Sequence, residues 1–187
     1  MIPTHRSSRL APNADGGEDP EMHAPVPIQI AQAAAPDDVA DVADLFRAYA
    51  ASLDVDLCFQ DFGAELAGLP GKYAPPRGAL LLARSSGGEP LGCVAVRPLP
   101  EDGCCEMKRL YVSPAARGLG LGERLVGAAL AAAERIGYRE VRLDTLPSMT
   151  QAAALYRKLG FEPMPSYYET PVAGTLFMRR SLGGDGP

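Results

Sequence analysis

Apolar residues along this chain recur with two different periods, and the points where the period changes outline its elements. Val26 to Ala33 alternates well enough to predict a first strand. After Pro36-Asp37-Asp38, a helix-start signal, Val39, Val42, Ala43, Phe46 and Ala50 recur at helical spacing, predicting a helix over Val39 to Ala51 with that face inward. A second helical segment is expected over Gln60 to Leu69. Pro70, Gly71, Pro75, Pro76 and Gly78 then break regular structure in a loop long enough to line a site. Strands are predicted at Ala79 to Arg84, Pro90 to Arg97 and Cys104 to Val112, the first two joined by a hairpin turn at Ser85-Ser86-Gly87-Gly88. An alanine-rich helix follows from Glu123 to Ile136, then a strand at Glu140 to Asp144, a helix from about Met149 to Leu159, and a last strand at Thr175 to Arg180. Strands and helices interleave in the manner of a single α/β domain, without an internal repeat.

Between the strand ending at Val112 and the helix beginning near Glu123 lies Arg117-Gly118-Leu119-Gly120-Leu121-Gly122. A strand that stops at Ser113-Pro114 and passes through small residues straight into a helix leaves several backbone N–H groups unpaired at the helix's positive end, an arrangement suited to a phosphate. A glycine-rich loop also serves as an ordinary flexible turn. This one lacks the Lys-Ser/Thr ending of a nucleotide P-loop, and it lies past mid-chain rather than after a first strand, where a dinucleotide fingerprint would usually stand.

The two flanking segments carry the decisive pattern. Leu110-Tyr111-Val112-Ser113-Pro114 runs into the loop with Arg117, Gly120 and Gly122 in place, and Ala154-Leu155-Tyr156-Arg157-Lys158-Leu159-Gly160-Phe161 follows at the appropriate distance. Together they resemble the GNAT superfamily of N-acetyltransferases over roughly residues 26 to 182, with weak specificity before residue 90. The resemblance implies a mixed central β-sheet flanked by helices in one domain. It also implies acetyl-CoA as acyl-donor cosubstrate, held by Leu110, Tyr111, Val112, Arg117, Gly118, Leu119, Gly120, Leu121, Gly122 and Glu123. Many relatives place an asparagine seven residues before the tyrosine of the second segment, against the coenzyme A chain. Here that residue is Met149, so Ser148 or Thr150 replaces the contact or it is absent.

Transfer of an acetyl group from a thioester to an amine sets the remaining chemical requirements. An aliphatic amine with a pKa of about 10.4 is mostly protonated at neutral pH, so a proton must be removed before attack. Glu106, four residues before Leu110, stands where some family members carry the catalytic carboxylate, and is the leading candidate for the base; its other reading is a strand glutamate in a salt bridge. The resemblance assigns the Leu110 N–H to the developing oxyanion and Tyr111 and Val112 to backbone pairing with the pantetheine arm. Tyr156 occupies the position whose hydroxyl protonates the leaving thiolate, although it also fits the apolar face of its helix with Ala152, Leu155 and Leu159. On the acceptor side, Tyr73, Tyr167 and Tyr168 are the candidate contacts, among bordering segments that also contain Asp54, Asp56, Lys72 and Arg77.

Composition narrows the partners. The chain has 187 residues, 47% of them hydrophobic, enough for one substantial core, and no apolar run approaches the ~20 residues that span a bilayer. A net charge of -5 argues against general nucleic-acid binding, which needs a basic face. Cys58, Cys93, Cys104 and Cys105 form no C-x-x-C pair, and His5 and His23 stand in the first 25 residues, so no metal site is expected. Those first 25 residues read as a disordered leader without a signal-peptide core, and 183 to 187 as a flexible tail. The whole reads as a cytoplasmic acetyltransferase whose partner is an amine acceptor, a small molecule, amino acid or protein. Homodimerisation is compatible with it, no membrane partner is expected, and the rival reading is a noncatalytic acyl-CoA-binding or regulatory module.

Overall fold

Pro36, whose missing N–H costs a helix nothing in its first turn, opens a helix three residues earlier than the apolar pattern indicated. In the computed structural model of the chain, which describes residues 27–53 and 61–183, this helix α1 covers Pro36–Ala51. The Asp38 carboxylate accepts hydrogen bonds from the backbone N–H groups of Ala34 and Ala35, tying the entering chain to the first turn. The expected leader (1–25) and all but residue 183 of the tail lie outside the described residues, as do Asp54, Asp56 and Cys58.

The other elements follow the predicted order, with altered ends. The strands are β1 (Gln29–Gln32), β2 (Ala79–Arg84), β3 (Pro90–Pro98), β4 (Cys104–Val112), β5 (Glu140–Thr145), β6 (Glu162–Pro163) and β7 (Leu176–Ser181). The remaining helices are α2 (Phe62–Ala67), α3 (Leu121–Ile136) and α4 (Thr150–Lys158). β1 is half the predicted length, α2 is shorter than Gln60 to Leu69, and the two-residue β6 was not separately foreseen. Helix α3 begins two residues before Glu123 because Gly120, at φ +69°, turns the chain directly into it.

The seven strands form one mixed sheet in the order β1-β2-β3-β4-β5-β7-β6, antiparallel except for the central β4/β5 pair. Alternation along the strands divides the core. Ala79, Leu81, Val94, Val96, Cys105, Met107, Val141 and Leu143 face α3, whose Leu125, Val126, Ala129 and Ala133 cover them. Leu80, Leu82, Cys93 and Ala95 face the other way, onto Val42, Leu45 and Phe46 of α1 and onto Tyr73. Leu45, absent from the predicted face, is buried, whereas Ala50 is only half-buried. Burying a side chain the size of Phe46 contributes about 2–3 kcal/mol, so each helix is fixed to its face by a few such residues.

Two departures from regular pairing shape the centre of the sheet. The β4/β5 register runs only through Cys104↔Glu140, Cys105↔Val141 and Glu106↔Arg142, after which the strands part. On the opposite edge of β4 the register with β3 steps from Cys93↔Tyr111 to Ala95↔Lys108, a bulge in which Arg109 takes φ +59°. Arginine does not adopt this left-handed conformation readily, so something must hold it there.

Candidate active site

Glu65 of α2 supplies that restraint. Its two carboxylate oxygens accept from Arg109 Nε at 2.8 Å and Arg109 Nη2 at 3.1 Å, while Phe62 lies against the guanidinium, 5.1 Å from ring centroid to Cζ. Lys72 Nζ and the Tyr73 hydroxyl donate to the same carboxylate, each at 2.8 Å. Burial alone would raise the Glu65 pKa, but the hydrogen bonds and charges of Arg109 and Lys72 outweigh it and hold the group at about 2. The bulge is thereby clamped from one side by an ionised pair.

On its other side, the parting of β4 and β5 opens a small cavity of ≈ 40 Å³. Tyr49 of α1, Lys108 and Leu110 of β4, Asp144 and Thr145 of β5, Tyr156 of α4, and Thr170 and Thr175 contribute to its wall. A larger open groove continues from it past Leu110, Tyr111 and Val112 to Arg117 and Gly122, with Ser148, Met149, Thr150 and Leu155 on the facing side. Leu110, Tyr49 and Met149 belong to both spaces and mark the passage between them. An extended ligand arm laid in the groove would run along the strand edge that β5 has left.

At the far end of the groove, the chain turns through Gly118 at φ +80° and Gly120 at φ +69°. The first bond of α3 runs from the Arg124 N–H to the Gly120 carbonyl, so the N–H groups of Leu121, Gly122 and Glu123 have no partner within the helix. Gly120 offers no side chain to cap them. A Cβ on Gly122 would come within 3.4 Å of Leu155 and 3.9 Å of Val112, across the floor of the groove. Backbone donors at a helix's positive end, beside a floor kept low by glycine, fit a pyrophosphate. Leu119 instead points outward, 54% exposed, and Glu123 pairs with Lys158 Nζ at 2.6 Å.

The structure thus brings Leu110, Tyr111, Val112, Arg117, Gly122 and Tyr156 together along one continuous depression. Tyr156 is almost fully enclosed, packed 5.7 Å from Phe161 between ring centroids, and burial pushes its pKa well above the ordinary tyrosine value. It therefore keeps its proton at neutral pH. Among the described residues its hydroxyl has no hydrogen-bond partner.

Glu106 lies one rung below the cavity and is completely buried. Its carboxylate accepts from Arg97 Nε at 2.5 Å and from the Tyr167 hydroxyl at 2.7 Å, with Lys108 Nζ at 3.6 Å. Tyr167 and Tyr168 pack edge-to-face on each other and on Phe177, forming a rim beside Thr170 rather than the cavity wall itself. Tyr73 is fully buried in the α1 core with its hydroxyl on Glu65, which puts its ring beneath the site and outside the main cavity.

Tyr49, Lys108, Asp144 and the Glu65–Arg109 pair had not been singled out as site residues. Part of the signal was present: Glu106-x-Lys108 and Arg142-x-Asp144 place charges at alternate positions of two neighbouring strands, hence on one face of the sheet. Tyr49 follows Phe46 by three on α1 and continues its inward face.

Residues 41–161 match the sequence profile of the acetyltransferase (GNAT) family. The chain belongs to this family. Along 161 residues it is 42% identical to an uncharacterised N-acetyltransferase of Schizosaccharomyces pombe, covering 86% of this chain and 99% of that one. An acetyltransferase of GNAT family from Staphylococcus aureus Mu50 shares the fold with a TM-score of 0.69 at 16% identity, over 83% of this chain and 99% of its own. An acetyltransferase from Salmonella typhimurium, solved with its cofactor acetyl-CoA, matches with a TM-score of 0.60 at 19% identity, over 86% and 97%. The GNAT protein described here is accordingly an acetyltransferase, with its mixed sheet and flanking helices in one domain.

Proposed function

We propose that this acetyltransferase uses acetyl-CoA as acyl donor and transfers the acetyl group directly to a primary amine of a small molecule, an amino acid or a protein. The observation that carries the reading is the parting of β4 from β5 at the Arg109 bulge. It leaves an unpaired strand edge leading from a backbone anion cradle into an enclosed cavity with a tyrosine in its wall. In this reading the N–H groups at the start of α3, with Arg117, Gly118 and Gly120 shaping the turn, hold the pyrophosphate. Tyr111 and Val112 pair with the pantetheine arm, and the Leu110 N–H donates to the carbonyl oxygen as charge develops there.

Tyr156, kept protonated by burial, gives its proton to the departing sulfur. Ser148 and Thr150, which line the groove on either side of Met149, are the candidates for the polar contact that methionine cannot make. Glu106 belongs to the proton path or to its electrostatic support, and the cytoplasmic location expected from the sequence remains part of the reading. Tyr167 and Tyr168 border the acceptor's entrance. Thiol release from acetyl-CoA, measured across a panel of amines, tests the proposal. Acetyl-CoA binding without turnover on any amine would overturn it in favour of an acyl-CoA-binding module.

A further inference from the structure

Two carboxylates stand near the point of transfer, and their surroundings differ. Every side of Glu106 that is described is occupied: Arg97, Tyr167 and Lys108 surround it, and it contributes nothing to the cavity wall. Asp144 stands one rung higher on the same face of the sheet, at the mouth of the gap between β4 and β5, and does line the cavity. Its Oδ1 accepts from Lys108 Nζ at 3.1 Å, and the Tyr168 hydroxyl lies beside the same carboxylate. The side chain keeps 14% of its surface open.

The groups that face Asp144 are Lys108 on β4, the hydroxyl-bearing rings of Tyr49 on α1, Tyr156 on α4, and Tyr167 and Tyr168 on the rim. Burial raises the pKa of all four tyrosines, so none competes with Asp144 to accept a proton at neutral pH. Lys108 also lies 3.6 Å from Glu106, which Arg97 already pairs, so the shorter contact of its ammonium is the one with Asp144. The result is a carboxylate that keeps part of its surface open in the wall of the cavity that also contains Leu110 and Tyr156.

We infer that Asp144 is the catalytic residue that takes the proton from the acceptor ammonium, directly or through one water, with Glu106 acting as a positioning residue for Lys108 and Tyr167. This rests on the acetyltransferase reading above. The step balances as follows: R–NH3⁺ yields a proton to the Asp144 carboxylate, and the freed amine forms the C–N bond at the thioester carbonyl. The C–S bond breaks, and the second nitrogen proton reaches the sulfur by way of Tyr156. Asp144 then returns its proton to water, leaving an amide, a thiol and one released proton.

The test compares Asp144→Asn and Glu106→Gln with the unmodified protein on the amine panel, following kcat/KM between pH 6 and 10 alongside melting curves and calorimetric acetyl-CoA affinity. Asp144→Asn is expected to lose about 10²–10³-fold at neutral pH while melting and acetyl-CoA affinity hold, and to recover as pH approaches the amine's pKa of about 10.4 and solution supplies neutral amine. It should also lose the thermal shift that the amine gives in the presence of coenzyme A, a readout independent of turnover. Glu106→Gln should show a smaller loss without that recovery. Near-normal rates in a folded Asp144→Asn variant, or the recovering profile in Glu106→Gln alone, would overturn the assignment while leaving the acetyltransferase reading intact. If Asp144→Asn unfolds, Lys108→Met decides: a pH-dependent loss matching the expected one would reduce Asp144 to an anchor for Lys108. Absence of turnover in the unmodified protein would instead remove the acetyltransferase reading and this one with it.

Discussion

Removing Glu65 should damage the fold through a residue that lines neither the cavity nor the groove. In Glu65→Ala the Arg109 guanidinium, whose side chain is only 2% exposed, keeps its charge but loses both carboxylate oxygens. An uncompensated buried charge costs about 3–5 kcal/mol. The Tyr73 hydroxyl, in a fully buried residue, loses its acceptor as well, which adds about 1–3 kcal/mol where no water replaces it. The two penalties overlap because they share one site, so a loss on the order of 4 kcal/mol is expected. Against a typical domain stability of about 5–15 kcal/mol, that brings the protein near its margin.

Urea denaturation measures the loss directly, and pH separates the ionic part. Because the folded pKa of Glu65 is held at about 2, below the ordinary glutamate value of 4.5, the ionised pair stabilises the fold above pH 4.5. That contribution, about 3 kcal/mol at most, fades as pH falls from 4.5 toward 2. The variant should lack this part of the acid slope. Glu65→Leu combined with Arg109→Met should regain much of the loss, since an apolar pair of similar volume leaves no buried charge. A Glu65→Ala loss under about 1 kcal/mol, or an unchanged acid slope, would refute the view that this pair clamps the bulge.

Three further outcomes follow from the same geometry. Tyr156→Phe keeps the packing against Phe161 but removes the donor, so turnover should fall about 10–10⁴-fold with acetyl-CoA affinity little changed, as steady-state kinetics and calorimetry would report. Gly120→Val forces a β-branched residue to φ +69°; the domain should stay folded while acetyl-CoA affinity falls at least about 10-fold by calorimetric titration. Gly92→Ala would set a Cβ 2.6 Å from the Tyr111 carbonyl oxygen, so either the β3/β4 ladder shifts beside the groove or stability drops by about 1–3 kcal/mol, read from a urea midpoint.

The elements of this fold were legible because each has a short-range cause. The continuous apolar runs of Leu80 to Ala83 and Val94 to Val96, the helical recurrence of Val42 and Phe46, and the glycines around Leu121 are all visible within a window of a few residues. The loop and strand edge proposed to hold the cofactor stand out for the same reason: the donors offered there are backbone groups, and only the shape of the loop is written in the residues. The acid–base side depends on which strands lie beside each other. Glu106 stands out in the sequence, but its carboxylate is enclosed by Arg97 from β3 and Tyr167 from 61 residues further on. Asp144 looks like any solvated end of a strand until β5 is placed alongside β4 and turned away from it.

That turning away links stability to chemistry. A regular β4 would continue its parallel ladder with β5 beyond Glu106 and close the cavity, satisfying more backbone groups and binding nothing. The bulge at Arg109 re-aims Leu110 and Tyr111, and its left-handed residue is favourable only while Glu65, itself tied to Lys72, and Phe62 hold the guanidinium from outside the sheet. On the inner side, Glu106 and Asp144 share Lys108, so charges that would repel across the open gap are tied to one cation. The fold therefore spends ion pairs on both flanks of β4 to keep one strand edge unpaired. A substitution in the outer pair should then lower both melting temperature and kcat, whereas one at Asp144 should lower turnover and acceptor binding while the melting temperature holds.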